Sequence, residues 1–238
     1  IESFGRLFRE HYITEREVCL LAIPLYFAAN WKQFVYKPNT AWAQVGYGLR
    51  RDGTLRLPER QIPDALCVID DSEIPSAPLT SVQVETLLGF CGRGCFLDFE
   101  RTPLPFHSAL LDMLGGVSPL LVPPRFLPDA PDALPVVSCP RPCNCWNGFC
   151  ERLGRRYPQG WALELTPWQW DGCDGLTGKA QYLVRGALCR CRRDGDGLHY
   201  YDDGETLAEK LSVAERCGCR CAIGLYDELA GLISAAPG

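Results

Sequence analysis

The chain has 238 residues, of which 47% are hydrophobic and 22% are charged, so it holds enough apolar material for one sizeable core or two small ones. This composition excludes a disordered tail. The 24 basic and 29 acidic residues give a net charge of −5, which provides neither a phosphate-binding surface nor a polybasic membrane patch, so we expect no nucleic-acid partner.

The first 40 residues differ in pattern from the rest of the chain. Residues 18–31 form an uncharged run that contains Pro24, and this run is too short for the roughly 20 apolar residues that cross a bilayer. The charges before it are of both signs, whereas a secretory signal begins with a positive region. We therefore expect no membrane span, interpret the run as a buried helix or hairpin, and assign residues 1–40 to an N-terminal helical extension of a domain formed by residues 41–238.

Short apolar runs with β-branched residues then recur along the chain, which is typical of strands buried on both faces. Two further segments are less regular: residues 43–47, and a stretch around residues 182–201 that has the turn residues of a hairpin. The clearest runs are residues 66–69, 95–97, 119–122, 134–137, 161–165 and 221–225.

Helix signatures lie between these runs. Thr80 with Gln83, and Thr206 with Glu209, fit the capping box at a helix start. An apolar stripe from Phe106 predicts another helix, and a stripe after Asn147 predicts a fourth. The alternation of strands and helices predicts a small (β/α)8 barrel of the TIM type. An open doubly wound sheet is the alternative, although no glycine-rich phosphate loop follows any strand.

The 14 cysteines allow three interpretations: free thiols, a structural metal site or disulfides. Their spacing over residues 139–150 does not match a zinc knuckle, and three histidines are too few for a His-based metal set, so we expect no metal and no cofactor. Cys217, Cys219 and Cys221 alternate with other residues, so in an extended segment all three would face one side. Free thiols in a cytoplasmic protein are the favoured interpretation.

In a (β/α)8 barrel the active site lies at the carboxyl ends of the strands. Acidic residues stand at several predicted strand ends, and aromatic residues follow them. Flat aromatic faces beside carboxylates suit the binding of a sugar ring, so we expect a carbohydrate ligand. The candidate substrate-binding residues are Asp70, Asp71, Glu164, Trp168, Trp170, Tyr201 and Tyr226.

Asp98 and Glu100 are the candidate catalytic residues. They are two positions apart, so in an extended strand both side chains point into the mouth of the barrel. Two carboxylates held this close do not both ionise easily, so the pKa of one should rise, as a general acid near neutral pH requires. The alternative is that Glu100 forms a solvated ion pair with Arg101 or Arg125 at the strand end.

Residues 94–100 (G-C-F-L-D-F-E) resemble the second half of the D-x-x-D-x-D-x-E strand of family 18 glycoside hydrolases, the chitinase-like (β/α)8 barrels. Asp98 falls on the last Asp of that motif and Glu100 on its Glu, whereas Arg93 and Phe96 occupy the first two Asp positions. Residues 200–211 and 221–226 are similar to the final unit of the family. The resemblance implies that Glu100 protonates the glycosidic oxygen and that Asp98 orients the N-acetyl group of the substrate.

Two functional hypotheses from different classes follow. The first is a glycoside hydrolase-like barrel that acts on, or binds, N-acetylamino sugar polymers such as peptidoglycan or chitin fragments, with Glu100 as general acid. The second is a catalytically degenerate barrel that serves as a carbohydrate-binding or protein-interaction module, because Arg93 and Phe96 replace polar residues that would support the acid. A structural protein of unassigned role is a third possibility.

Overall fold

The structure of the chain is a computed structural model, and it describes residues 23–34, 40–76, 79–138, 145–167, 181–194 and 197–234. The strands are β1 (Leu25–Ala29), β2 (Ala41–Leu49), β3 (Leu55–Arg56), β4 (Leu66–Asp70), β5 (Cys95–Asp98), β6 (Leu120–Val122), β7 (Leu134–Ser138), β8 (Trp161–Glu164), β9 (Gln181–Val184), β10 (Cys189–Asp194), β11 (Gly197–Tyr201) and β12 (Cys219–Leu225). The α-helices are α1 (Ser81–Phe90), α2 (Pro105–Leu114), α3 (Trp146–Arg156), α4 (Gly204–Arg216) and α5 (Tyr226–Ser234), and a short 3-10 helix covers Pro124–Phe126.

Eight parallel strands close into a barrel, which confirms the (β/α)8 prediction. Going round the barrel, the strands are β1, β2, β4, β5, β6, β7, β8 and β12, and β12 pairs back onto β1 with Leu25 opposite Ala222. Strand β3 adds to the end of β2 in the antiparallel direction. The barrel is irregular because the connections from β1 to β2, from β2 to β4 and from β6 to β7 contain no α-helix among their described residues.

Side chains alternate in direction along each strand, so one set fills the barrel and the other packs against the helices. Phe96 points inward, whereas its neighbour Leu97 packs outward against the layer of α1 and α2. On the opposite side, Leu163 packs outward against the layer of α3, α4 and α5. The inner set is apolar and consists of Ala28, Ala43, Leu66, Val68, Phe96, Leu121, Val136, Ala162, Cys221 and Ile223.

The helix starts follow from their caps. Thr80 caps α1 in the predicted capping box, with the Thr80 amide donating to Gln83 Oε1 at 2.8 Å. Helix α4 begins earlier than the predicted start at Thr206, because Asp203 is the cap and Thr206 is the third helical residue; the Thr206 amide donates to Asp203 Oδ1 at 2.8 Å. A carboxylate at this position also interacts favourably with the positive end of the helix dipole. Helix α3 is capped by Cys145 rather than by Asn147.

The structure differs from the predicted N-terminal helical extension over residues 1–40. Strand β1 lies in that segment and is a barrel strand buried between β12 and β2, so the barrel begins before the predicted boundary at residue 41. The five-residue run Leu25–Ala29 after Pro24 has the length of a strand rather than of a helix. Residues 1–22 and 35–39 lie outside the described residues.

The ten cysteines in the described part of the chain form no disulfide with one another. Cys219 and Cys221 do not face the same side, which corrects the alternation argument: Cys219 belongs to the outer core and Cys221 to the inner one. The reason is a register shift between these two residues in the pairing of β12 with β8. Cys217 precedes the strand, at the end of α4. Burial raises the pKa of Cys219 and of Cys221 to about 12, so both thiols stay protonated.

Strands β9, β10 and β11 form a separate antiparallel sheet that contains the predicted hairpin. A buried ion pair joins this part of the chain to α4: Lys210 Nζ donates to both carboxylate oxygens of Asp202, at 2.6 and 2.8 Å. The same Lys210 ammonium lies 5.4 Å from the centre of the Trp146 ring on α3.

No helix within the described ranges is long and apolar enough to cross a bilayer.

We expect Leu121→Ala to lower the free energy of unfolding by about 2–5 kcal/mol, because Leu121 is completely buried inside the barrel and its truncation leaves a cavity. Val82→Ala is the control, since Val82 on α1 is 71% exposed and its truncation should change the free energy by less than about 0.5 kcal/mol. Urea unfolding measures both. Equal losses in the two variants would contradict the assignment of Leu121 to the barrel interior.

Candidate functional site

An open pocket lies at the mouth of the barrel, at the carboxyl ends of β4 and β5. Its volume is about 420 Å³. Because both strands run in the same direction and Asp70 is in register with Asp98, their terminal side chains meet there. The lining residues are Asp70, Asp71, Ser72, Asp98, Glu100 and Arg101.

Asp98 is the central acidic residue of this pocket. It follows the inward-facing Phe96 by two positions, so it also points inward. The pKa of Asp98 is raised from its ordinary 3.8 to about 6, first by partial desolvation of the carboxyl group and then by the negative charges of Glu164, Glu100, Asp70 and Asp71. Among the described residues, no donor forms a hydrogen bond with Asp98. The carboxyl group can therefore hold a proton close to neutral pH.

Asp70, by contrast, has its charge compensated. Arg56 on β3 forms an ion pair with Asp70, and Ser72 donates to Asp70 Oδ1 through its amide at 3.0 Å and through its hydroxyl group. Gly48 on β2 leaves space for this pair, since a Cβ there would lie 2.7 Å from Arg56 Nη2 and 3.3 Å from Asp70 Oδ1. The hairpin formed by β2 and β3 thus places a cation beside the pocket.

Glu164 stands at the end of β8 and follows the inward-facing Ala162 by two positions. It accepts a hydrogen bond from the Ser138 hydroxyl group at the end of β7. Glu164 also acts at a distance on two other carboxyl groups, because its charge helps to raise the pKa of Asp98 and that of Glu228 on α5. For Glu228 the larger cause is burial. Glu164 therefore contributes to the negative field of the mouth.

Glu100 lies beyond the end of β5, with its side chain exposed at the rim of the pocket. Its backbone amide donates to Asp71 Oδ1 at 2.9 Å, and the amide of Arg101 donates to Asp71 Oδ2 at 3.0 Å. On the other side, the guanidinium of Arg125 donates to the carbonyl oxygens of Phe99 and Arg101. The backbone that carries Glu100 is thus held from both sides. Neither arginine forms the ion pair with Glu100 that the sequence left open.

The predicted aromatic residues do not line the pocket where the structure describes them. Tyr226 begins α5 and packs on the outside of the barrel, with its ring centre 5.2 Å from that of Trp42 and 6.1 Å from that of Phe27. Tyr201 is buried at the end of β11 in the second sheet. Trp168 and Trp170 lie outside the described residues. The expected stacking surface for a sugar ring is therefore not formed by either tyrosine.

Two residues beside the pocket were not recognised from the sequence. His107 is completely buried, and its Nε2 lies 3.3 Å from Asp71 Oδ2. Arg56 compensates the charge of Asp70 in an ion pair. The Asp70–Asp71 dipeptide at the end of β4 indicates only that buried carboxylates there need partners, and it identifies neither Arg56 nor His107. Within the described residues, no three His, Cys, Asp or Glu side chains converge on a metal position.

No protein-family model matches this sequence, and no curated protein matches it. Solved structures with a similar fold exist. The spore cortex-lytic enzyme SleL of Bacillus megaterium QM B1551 superposes with a TM-score of 0.51 over 84% of this chain and 70% of its own, at 11% sequence identity. SleL of Bacillus cereus gives the same TM-score and identity over 85% of this chain and 70% of its own. At 11% sequence identity, this similarity shows a common fold and nothing further.

The electrostatics of the mouth predict that Asp98→Asn stabilises the fold at neutral pH. Above pH 6 the Asp98 carboxyl group is ionised in the folded and the unfolded chain alike, and folding brings its charge close to the other carboxylates. Asp98→Asn should raise the free energy of unfolding at pH 7 by about 1 kcal/mol, a small value because solvent at the rim screens the repulsion. The gain should disappear as the pH falls from about 6 towards 3.8, where the folded wild type becomes protonated.

Urea unfolding of the wild type and of Asp98→Asn between pH 4 and pH 8 measures this difference. Glu85→Gln is the control, since Glu85 is exposed on α1 and does not line the pocket. A stability difference for Asp98→Asn that did not change with pH would show that the mutation acts through packing rather than through charge.

Proposed function

We propose that this chain is a glycoside hydrolase-like barrel that acts on N-acetylamino sugar polymers such as peptidoglycan or chitin fragments. The observation that carries the proposal is the pocket at the barrel mouth, in which Asp98 has a pKa of about 6 and lies beside Glu100. Hydrolysis of a glycosidic bond requires a protonated carboxyl group near a second carboxylate. The pocket offers both at near-neutral pH.

Two further observations support this proposal. The similar fold of SleL, a spore cortex-lytic enzyme, indicates that a barrel of this kind is compatible with lytic activity. The resemblance of residues 94–100 to the acidic strand of family 18 glycoside hydrolases gives the two carboxyl groups distinct roles. In the proposal Glu100, at the exposed rim, transfers a proton to the glycosidic oxygen. Asp98, deeper in the mouth, supplies that proton to Glu100 and orients the N-acetyl group of the substrate.

A non-catalytic carbohydrate-binding or protein-interaction module is the second candidate, and the structural context of Phe96 and Arg93 favours it. Phe96 is an apolar residue of the inner core directly below Asp98, where the related acidic strand has an Asp. Arg93 points to the surface and forms an ion pair with Asp64 at 2.8 Å. Neither residue gives Asp98 polar support. In this alternative the carboxylates of the mouth bind a ligand without turning it over.

Glu100→Gln tests the proposed acid. The amide keeps the shape of the side chain but has no transferable proton, so kcat should fall by roughly 10²–10⁴-fold while binding persists. Soluble chito-oligosaccharides and peptidoglycan fragments are the substrates, and Glu85→Gln is the matched control that should retain full activity. Measurable binding without turnover by the wild type on both substrates would remove the hydrolase proposal and leave the binding module.

The pH profile of kcat/KM provides an independent test of Asp98. In the proposal Asp98 holds the proton that Glu100 transfers, so the activity should decrease as the pH rises through about 6, the pKa of Asp98. In Asp98→Asn the activity should be lower, and the decrease centred on about pH 6 should be lost because the group that holds the proton is absent. A profile that is flat between pH 5 and pH 8 in the active wild type would exclude Asp98 from holding the catalytic proton.

A further inference from the structure

A buried pair of polar residues, Asp71 and His107, lies directly behind the rim of the pocket. Asp71 is 3% exposed and His107 is completely buried. Burying a carboxylate costs several kcal/mol unless donors satisfy it, and burying an imidazole has a similar requirement. Apolar side chains would fill the same space without this cost, so the pair needs an explanation beyond packing.

The hydrogen bonds define the form of the histidine. The amide of Leu104 can only donate, and it lies 3.0 Å from His107 Nδ1, so Nδ1 is the acceptor. Burial, the largest cause, lowers the pKa of His107, against the opposing effect of Asp71; Arg125 and Arg101 lower it further. The ring is therefore neutral near pH 7, with its single proton on Nε2, and Nε2 donates to Asp71 Oδ2 at 3.3 Å.

Asp71 connects His107 to the backbone at the rim of the pocket. Its two carboxylate oxygens accept hydrogen bonds from the amides of Glu100 and Arg101. These amides lie beyond β5, which ends at Asp98 and pairs with β6 only at Cys95 and Phe96. On the other side, the pairing of β5 with β4 stops at Asp98 opposite Asp70, and beyond that point the carboxylate of Asp71, the residue after β4, takes the place of a partner strand.

We propose that Asp71 and His107 form a positioning unit that holds the Glu100 carboxyl group at the rim of the pocket, an inference that rests on the function proposed above. Glu100 moves with its backbone, and the backbone is fixed by Asp71 on one side and by Arg125 on the other. His107 keeps Asp71 in the orientation that accepts both amides. Neither residue of the unit transfers a proton to substrate.

Substitutions at His107 separate positioning from packing. In His107→Phe, the new ring keeps the aromatic contacts with Phe99 and Phe106, whose ring centres lie 4.7 and 3.8 Å from that of His107, but both ring nitrogens are lost. His107→Gln is the conservative variant, because Gln is a common third residue of a helix and can accept from the Leu104 amide and donate to Asp71. Ser108→Ala is the control on the same helix, since it removes a hydrogen bond to Asp129.

Asp71→Asn tests the other half of the unit. Its amide has one oxygen where the carboxylate has two, so at most one of the two oxygen sites that hold the Glu100 and Arg101 amides remains. If His107→Phe does not fold, the same measurements on Asp71→Asn decide the inference.

The first measurement is amide hydrogen exchange by NMR. In His107→Phe and Asp71→Asn the exchange of the Glu100 and Arg101 amides should accelerate at least 10-fold, with no matching change at Leu97 inside β5. The second is the NMR titration of the Asp98 carboxyl group, whose pKa should decrease in both variants, because Glu100 moves away or the charge of Asp71 is lost. A role confined to packing would change neither quantity in His107→Phe, which removes no charge near Asp98.

The third measurement is turnover of chito-oligosaccharides, where His107→Phe should lower kcat by roughly 10–100-fold with KM changed less than twofold, while His107→Gln and Ser108→Ala stay close to the wild type. Unchanged amide exchange and an unchanged Asp98 titration in His107→Phe and Asp71→Asn would overturn the positioning unit. A wild type without turnover, combined with accelerated exchange and a shifted Asp98 titration in these variants, would overturn the glycosidase proposal alone.

Discussion

Closure of eight parallel strands brings all their carboxyl ends to one mouth, and the acidic residues at those ends must then share a small volume. Three of them have donors of their own: Asp70 has Arg56, Asp71 has two backbone amides, and Glu164 has Ser138. Asp98 stands among them without a donor from the described residues, above the apolar Phe96. The raised pKa of Asp98 therefore results first from partial desolvation of its carboxyl group and then from the uncompensated repulsion of these neighbours.

The proposed acid site has two requirements, a raised pKa and a fixed geometry, and different residues of the mouth meet them. The negative field makes one proton hard to remove, and a rigid frame keeps the groups that carry this field from moving apart. The frame consists of backbone hydrogen bonds from the segment of Glu100 and Arg101 to Asp71, of the contact between Asp71 and His107, and of the Arg125 guanidinium on the other side. Without it, the exposed Glu100 would be free to move away from Asp98, and its share of the repulsion would be lost.

Much of this barrel could be predicted from the local sequence pattern, because the buried strands are short apolar runs and Thr80 with Gln83 indicates a helix start. Strand β1 could not be predicted in this way, since its five residues lie inside a longer apolar run and their strand partner β12 lies at the other end of the chain. The position of Asp98 and Glu100 followed from their spacing. The contact of His107 with Asp71 could not be predicted, because it joins a residue of α2 to the residue after β4, and no local sequence pattern relates the two. Tyr226 was misplaced since the helix α5 begins at that residue and turns its ring outward.

The pairing of β1 with β12 also governs how the chain can fold. Leu25 and Ala222 are about 200 residues apart in sequence, so the loop that their contact closes is nearly as long as the chain itself. Until β12 is available, both β1 and β8 present open edges with unpaired amide and carbonyl groups. Closure of this barrel therefore requires its last strand, and without β12 the barrel exposes two edges for strand pairing between molecules.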